Sequence, residues 1–199
     1  MYYIGGLGIG TEMMSYNSIG GKQSFKIQVE HLGIDDHDMV ALFNMFMDYE
    51  TRFTPSYLTV KALSSYVIRL VFEDGFTVVC SQFQKFFMYD YTWKMAKDLT
   101  CEDKFFQVFR DPDLFECRGD FNAEDHEFNL HYVPDDIKLI KLKSSETLPT
   151  DKAYELAVPI DWHSNAIVLA NGAVVEGVCL LGHPAQKTKF DAPLKFPNF

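Results

Sequence analysis

Tyr66-Val-Ile-Arg-Leu-Val-Phe-Glu-Asp-Gly-Phe-Thr-Val-Val-Cys80 sets two runs of β-branched and aromatic residues on either side of Glu73-Asp74-Gly75. Such side chains pack well on a pleated surface, and glycine reaches the positive φ that a tight connection demands. The stretch is predicted to be a β-hairpin, with strands over 66–72 and 76–80. Working outward, Asn171-Gly172 is a second strong turn signal. Ala153-Tyr-Glu-Leu-Ala-Val158 and Ala166-Ile-Val-Leu-Ala170 precede it and Ala173-Val-Val175 follows, which predicts another hairpin region. Lys138-Leu-Ile-Lys-Leu142 reads as a further short strand. Between Asp35 and Tyr49, Met39, Leu42, Phe43, Phe46 and Met47 recur at spacings of three and four. That pattern predicts a helix capped by Asp35 or Asp36, and Trp93–Leu99 predicts one or two further helical turns. The expectation is a mainly β chain of short strands with a small helical insertion at about 35–49.

The 199 residues suit one domain or two small ones. Aromatic residues are plentiful, with 18 Phe and 10 Tyr, so the chain has ample material for a core and is no disordered acidic tail. Twenty-eight acidic against 18 basic residues give a net charge of −10, and no Lys/Arg cluster stands out, which argues against a nucleic-acid partner. Apolar runs such as Ala166–Ala170 and Val178–Leu181 fall far short of the roughly 20 residues of a membrane-spanning helix. Met1–Gly10 lacks the basic region and cleavage site of a signal peptide and is read as mature protein. Cys80, Cys101, Cys117 and Cys179 form no Cys-x-x-Cys pair, which suits a reduced, cytoplasmic setting better than a disulfide scaffold.

Three segments, taken in order, resemble the Hint family, which comprises the intein splicing domains and the hedgehog autoprocessing domain. Gly8-Ile-Gly-Thr11-Glu-Met-Met-Ser-Tyr-Asn17 with Ile27-Gln-Val-Glu-His-Leu32 is similar to the family's opening block, a Gly-Thr followed by a strand and a V-E-x-L stretch. Tyr66–Phe105 resembles the middle block: a strand, Asp74-Gly75, a strand, Ser81-Gln-Phe-Gln84 in the place of T-x-x-H, Trp93-Lys-Met-Ala-Lys-Asp-Leu99 as W-x-x-A-x-x-L, then Glu102-Asp103. Tyr154-Glu-Leu-Ala-Val158, Ser164-Asn165 and Ala170-Asn-Gly-Ala-Val-Val-Glu-Gly177 are similar to the closing block, which ends n-G-x-V-V-H-N. The resemblance implies a Hint-like horseshoe of short twisted strands over about residues 6–177. Residues 1–5 then form an N-terminal arm, and 178–199 an extended C-terminal extension. The roughly 50 residues between the last two blocks are too few for an inserted endonuclease with a core of its own.

The same resemblance implies a chemistry to look for. Splicing in the family uses an initial Cys or Ser nucleophile, a His in T-x-x-H, a terminal His-Asn, and a Cys, Ser or Thr acceptor. The nucleophile position falls at Gly6 or Leu7, and Met1–Gly10 contains no Cys or Ser. Ser81 and Gln84 stand in T-x-x-H, where a carboxamide hydrogen-bonds but does not cycle a proton. Glu176-Gly177 replaces His-Asn, and Val178 follows. Gly6, Ser81, Gln84, Glu176 and Gly177 are thus expected to be vestigial positions of a domain that does not splice, with no cofactor and no metal.

The remaining chemistry-bearing residues have plainer readings. Cys80 and Cys179 sit in apolar runs and are read as core residues, with Cys179 as a displaced acceptor the alternative. Cys117, His126 and His131, with Asp120 or Asp125, match no zinc spacing, and two residues five apart face opposite sides of a strand. Asp35-Asp-His-Asp38 reads as a capped helix start, and Trp162 beside His163 as a core cap rather than an interface anchor. The functional expectation is a non-enzymatic structural, assembly or protein-interaction protein. It would bind protein partners or further copies through terminal arms, and a bacteriophage virion component is one example. The alternatives are an autoprocessing domain whose catalytic groups are displaced or engineered out, and a small-ligand module using a cleft near Gln84.

Overall fold

A computed structural model of the chain describes residues 5–17, 26–32, 38–43, 51–55, 62–109, 119–122, 127–130, 136–158 and 165–179. In chain order the strands are β1 Leu7–Gly8, β2 Glu12–Asn17, β3 Lys26–Gln28, β4 Asp38–Phe43, β5 Thr51–Pro55 and β6 Ala62–Phe72. They continue as β7 Thr77–Ser81, β8 Lys85–Phe87, β9 Trp93–Met95, β10 Lys104–Phe109, β11 Gly119–Asn122 and β12 Glu127–Leu130. The last are β13 Asp136–Tyr154, β14 Ala157–Val158, β15 Ala166–Val168, β16 Val174–Glu176 and β17 Val178–Cys179. Short 3-10 helices at Val29–His31 and Ala96–Asp98 are the only helices among the described residues.

The central hairpin forms as its sequence predicts. β6 and β7 pair antiparallel, with Val67 opposite Ser81 and Val71 opposite Thr77. The Lys138–Leu142 run is the opening of β13, a 19-residue strand that pairs first with β10 and then with β6, shifting register after Leu142 and after Leu148. β1 lies between β7 and β13: Leu7 stands opposite Cys80 on one side and Tyr154 on the other, closing β1, β7, β6 and β13 on themselves. A second sheet runs β3-β2-β4-β15-β16-β8-β9, with β5 on the flank of β4, and Asn171-Gly172 joins β15 to β16 as the turn signal predicts. Ala153 and Tyr154, expected in the second hairpin, instead end β13. Ala157–Val158 pairs in parallel with Val178–Cys179, so regular pairing extends past Gly177.

Five strands are buried on both faces. Val40, Leu42, Phe86, Phe105, Ile167 and Val175 point into one apolar cluster. Their neighbours Ala41, Phe43, Phe87, Phe106, Ala166, Val168 and Val174 point into another. Alternation along a pleated strand produces this division. Phe105 meets Phe72 and Phe86 edge-on at centroid distances of 5.1 and 5.8 Å, while Phe106 meets Phe43 and Phe87 at 5.1 Å each.

That double burial corrects the helix expected at 35–49. Asp38–Phe43 is the strand β4, held between β2, β5 and β15. A strand apolar on both faces reads as an unbroken apolar run, which matches helical spacing equally well. Residues 35–37 and 44–49 lie outside the described residues. Trp93–Leu99 is likewise a strand followed by a 3-10 turn rather than an α-helix. The arm segments 1–4 and 180–199 also fall outside the described residues.

Candidate functional site

The opening block fastens the start of the chain to β7 and to the first 3-10 turn. Gly10, at φ +82°, turns the backbone, and its N–H donates to both Glu30 carboxylate oxygens at 2.9 and 3.1 Å. The Thr11 hydroxyl is fully buried; it donates to the Val79 carbonyl at 2.9 Å and accepts from the Val79 N–H at 3.0 Å. Gly-Thr and the later Glu are therefore two ends of one fastening. Beside it, Cys80 is buried opposite Leu7, and burial pushes its thiol far above the usual range, so it stays protonated.

The segment Ser81–Gln84 lies where β1, β8 and β16 converge. The Ser81 N–H donates to the Gly6 carbonyl at 2.8 Å, and its hydroxyl accepts from the Phe83 N–H at 3.1 Å. The Gln84 N–H returns to the Ser81 carbonyl at 3.0 Å, which closes a tight turn and aims the Gln84 side chain inward. That side chain is buried, and its Nε2 donates to the Glu176 carbonyl at 2.8 Å and to the Lys85 carbonyl at 3.1 Å. On the other side, a Cβ placed on Gly5 would stand 3.0 Å from Gln84 Oε1 and 3.2 Å from its Cα, so glycine is what lets the chain pass this close.

The closing block completes the seam. Lys85 Nζ meets Glu176 Oε2 at 2.8 Å, with both side chains partly exposed. Gly177 and Asn165 are joined twice, by Gly177 N–H to the Asn165 carbonyl at 2.7 Å and by Asn165 Nδ2 to the Gly177 carbonyl at 3.1 Å. The Val178 N–H then donates to the Leu156 carbonyl at 2.7 Å. Gly6, Ser81, Gln84, Glu176 and Gly177, far apart in sequence, thus meet in one small region. Thr11, Glu30 and Asn165 stand in motif blocks that assign them no role, and Lys85 stands in no motif. The signal for Lys85 and Glu176 was the single charge that each brings to an otherwise apolar strand.

At this seam a carboxamide, a serine hydroxyl engaged in a turn, and one lysine–carboxylate pair are present. Gln84 donates and accepts hydrogen bonds but carries no titrating proton. Among the described residues no three His, Cys, Asp or Glu side chains are grouped as metal ligands would be. Cys117, Asp125, His126, His131, Trp162 and His163 lie outside the described residues, and Asp120 pairs with Asn129 in the β11–β12 ribbon.

No protein-family model matches the chain, and no curated protein matches it in sequence. Solved structures do match. The transcription factor IIB Mvu mini-intein superposes with a TM-score of 0.59 at 15% identity, covering 88% of this chain and 100% of that one. A variant of the Ssp DnaB mini-intein gives 0.58 at 16% identity, covering 89% and 97%. The bacterial intein-like domain from Clostridium thermocellum gives 0.54 at 13% identity, covering 88% and 99%. Antiparallel sheets, block order and near-complete coverage agree: the chain has the Hint fold of the mini-inteins.

Proposed function

We propose that this protein is a non-enzymatic structural or protein-interaction protein on a Hint scaffold that does not splice. It serves within a larger assembly such as a bacteriophage virion. The observation that carries the reading is the bond from the Gln84 carboxamide to the Glu176 carbonyl. Proton transfer at that point calls for a group that titrates near neutrality, and a carboxamide supplies only a fixed hydrogen bond. Glycine at positions 6 and 177 supports the same reading, since neither offers a nucleophile or a side-chain amide. The terminal sequences support assembly: Met1–Gly10 contains four glycines, and residues 184–199 are rich in Pro, Phe and Lys.

Intact mass spectrometry of the purified full chain, with and without dithiothreitol, tests the inactivity. A single mass equal to the whole chain is expected; scission near Gly6 or Gly177 overturns the reading in favour of autoprocessing. Light scattering on the full chain and on one lacking residues 184–199 tests the assembly. An oligomer that the truncation dissolves is expected, and a monomer in both cases overturns that part.

A further inference from the structure

Three hairpin connections share one hydrogen-bond pattern and differ in one telling residue. The Phe72, Met88 and Leu169 N–H groups donate to the carbonyls of Phe76, Thr92 and Ala173 at 2.9, 2.8 and 2.8 Å. The Gly75, Tyr91 and Gly172 N–H groups return to the carbonyls of Phe72, Met88 and Leu169 at 3.0, 3.0 and 2.8 Å. In each, a side-chain oxygen of Asp74, Asp90 or Asn171 accepts the amide two residues on, at 2.9, 3.1 and 3.1 Å. The fourth residue takes φ +85° at Gly75, +87° at Gly172 and +65° at Tyr91, which is the only non-glycine residue with positive φ among the described residues. A side chain there is disfavoured relative to glycine, because its Cβ crowds the backbone in the left-handed region. Two sister turns in the same chain use glycine, so the Tyr91 ring is kept against a backbone penalty.

That ring is 61% exposed, although it lies 6.0 Å from Phe106 and 6.2 Å from Phe87 between centroids. Tyr89, on the same turn, is 45% exposed. On the face of β10 and β13 that carries Phe106, Phe106 stands opposite Leu139 and Val108 opposite Ile137. Leu139 and Ile137 are 39% and 37% exposed. One pair further along that face, Lys104 stands directly opposite Lys141, and the Tyr89 N–H donates to the Lys104 carbonyl at 2.8 Å. Like charges directly opposite across strands repel. Among the described residues neither lysine has a carboxylate at ion-pair distance, in a chain of net charge −10; Asp103 is engaged by Lys94, while Asp90 and Glu102 line the adjoining depression.

We propose that Tyr89, Tyr91, Ile137 and Leu139, with the Lys104–Lys141 pair, form a docking surface for an acidic segment of a partner protein that also carries Leu or Phe. Tyrosines bury a large apolar area at little conformational cost, and a desolvated carboxylate between two lysines removes their mutual repulsion. The surface is separate from the Gln84 seam, and its use does not depend on whether that seam is inert.

The test is fluorescence anisotropy of the full chain with the labelled peptide Glu-Asp-Leu-Phe-Glu-Asp and its counterpart Lys-Lys-Leu-Phe-Lys-Lys. Saturable binding of the acidic peptide alone is expected, weakened about tenfold or more by Tyr91→Gly and by Lys104→Glu, and weakened by added salt. Tyr91→Gly gives the turn the residue its sisters use, and Lys104→Glu leaves the apolar packing untouched. A circular-dichroism melt of each variant separates lost docking from lost folding. Absence of saturable binding, equal binding of the basic peptide, or unchanged binding in both folded variants overturns the proposal. So does light scattering that shows a dimer dissolved by either variant, which assigns the surface to a second copy, or binding to anionic vesicles that the same variants abolish.

Discussion

Gly172 and Val108 touch through their backbones. The Val108 N–H donates to the Gly172 carbonyl at 2.8 Å, and a Cβ on Gly172, itself at φ +87°, would collide with the Val108 carbonyl oxygen. Gly75 has nearly the same φ, +85°, but open space where its Cβ would point. Gly75→Ala is therefore expected to cost about 1 kcal/mol, from backbone conformation alone. Gly172→Ala is expected to cost about 3 kcal/mol or more, lowering the melting temperature by roughly 6–12 °C. Thermal melts of the two variants side by side check this; equal losses would refute the role of the β10 contact.

Thr11 satisfies both backbone groups of Val79 with one hydroxyl. Thr11→Val keeps the shape and removes that hydroxyl, leaving a buried donor and a buried acceptor unpaired. A loss of about 2–3 kcal/mol in urea denaturation is expected, and Thr11→Ser should recover most of it. A near-neutral Thr11→Val would mean that the strand edge finds other partners.

Gln84→Leu removes the donor to the Glu176 and Lys85 carbonyls and is expected to destabilise by about 1–3 kcal/mol. Gln84→Glu should be worse at neutral pH, because a buried carboxylate would face two carbonyl oxygens. Its folded-state pKa would be raised, so the added deficit grows as pH rises above the ordinary carboxylate range and shrinks below it. Urea midpoints of both variants across that range decide the point. A pH-independent difference between them would count against a dry seam.

Asp103 and Cys80 set opposite pH limits. Partial burial works against the Asp103 carboxylate, but the Lys94 ammonium at 2.8 Å, the Thr100 N–H at 2.7 Å and the Thr100 hydroxyl at 3.1 Å outweigh it and hold its pKa below the ordinary 3.8. The stability it contributes is present above about pH 4 and lost as pH falls through the lower folded value, and Asp103→Asn should flatten that acid limb. The Cys80 thiol is held protonated by burial, so stability falls as pH rises past its ordinary value of 9.0. Iodoacetamide mapping should modify the exposed Cys101 in the native protein and Cys80 only on unfolding. Labelling of native Cys80 would contradict its place in the core.

Turns were legible in the sequence because glycine there has a local cause. Asp74-Gly75 and Asn171-Gly172 formed hairpins where expected. The Met88–Thr92 turn was not, since Tyr91 occupies the position that glycine would have advertised. The β4 strand read as a helix because Val40 and Leu42 face one core while Ala41 and Phe43 face the other, which erases the period of two. The convergence of Gly6, Ser81, Gln84, Glu176 and Gly177 followed from block order, whereas the Thr11–Val79 and Asn165–Gly177 bonds depend on side-chain placement across distant segments.

Leu7 also bears on timing. Its strand pairs with Cys80 and with Tyr154, and with nothing nearer in the chain. That strand has no partner until Cys80 has been made, about 70 residues later, and its second partner, at Tyr154, follows about as far on again; pairings of such long sequence separation form slowly. Until Tyr154 is in place β1 holds only its β7 side, so the ring of β1, β7, β6 and β13 closes only after the chain has passed that residue.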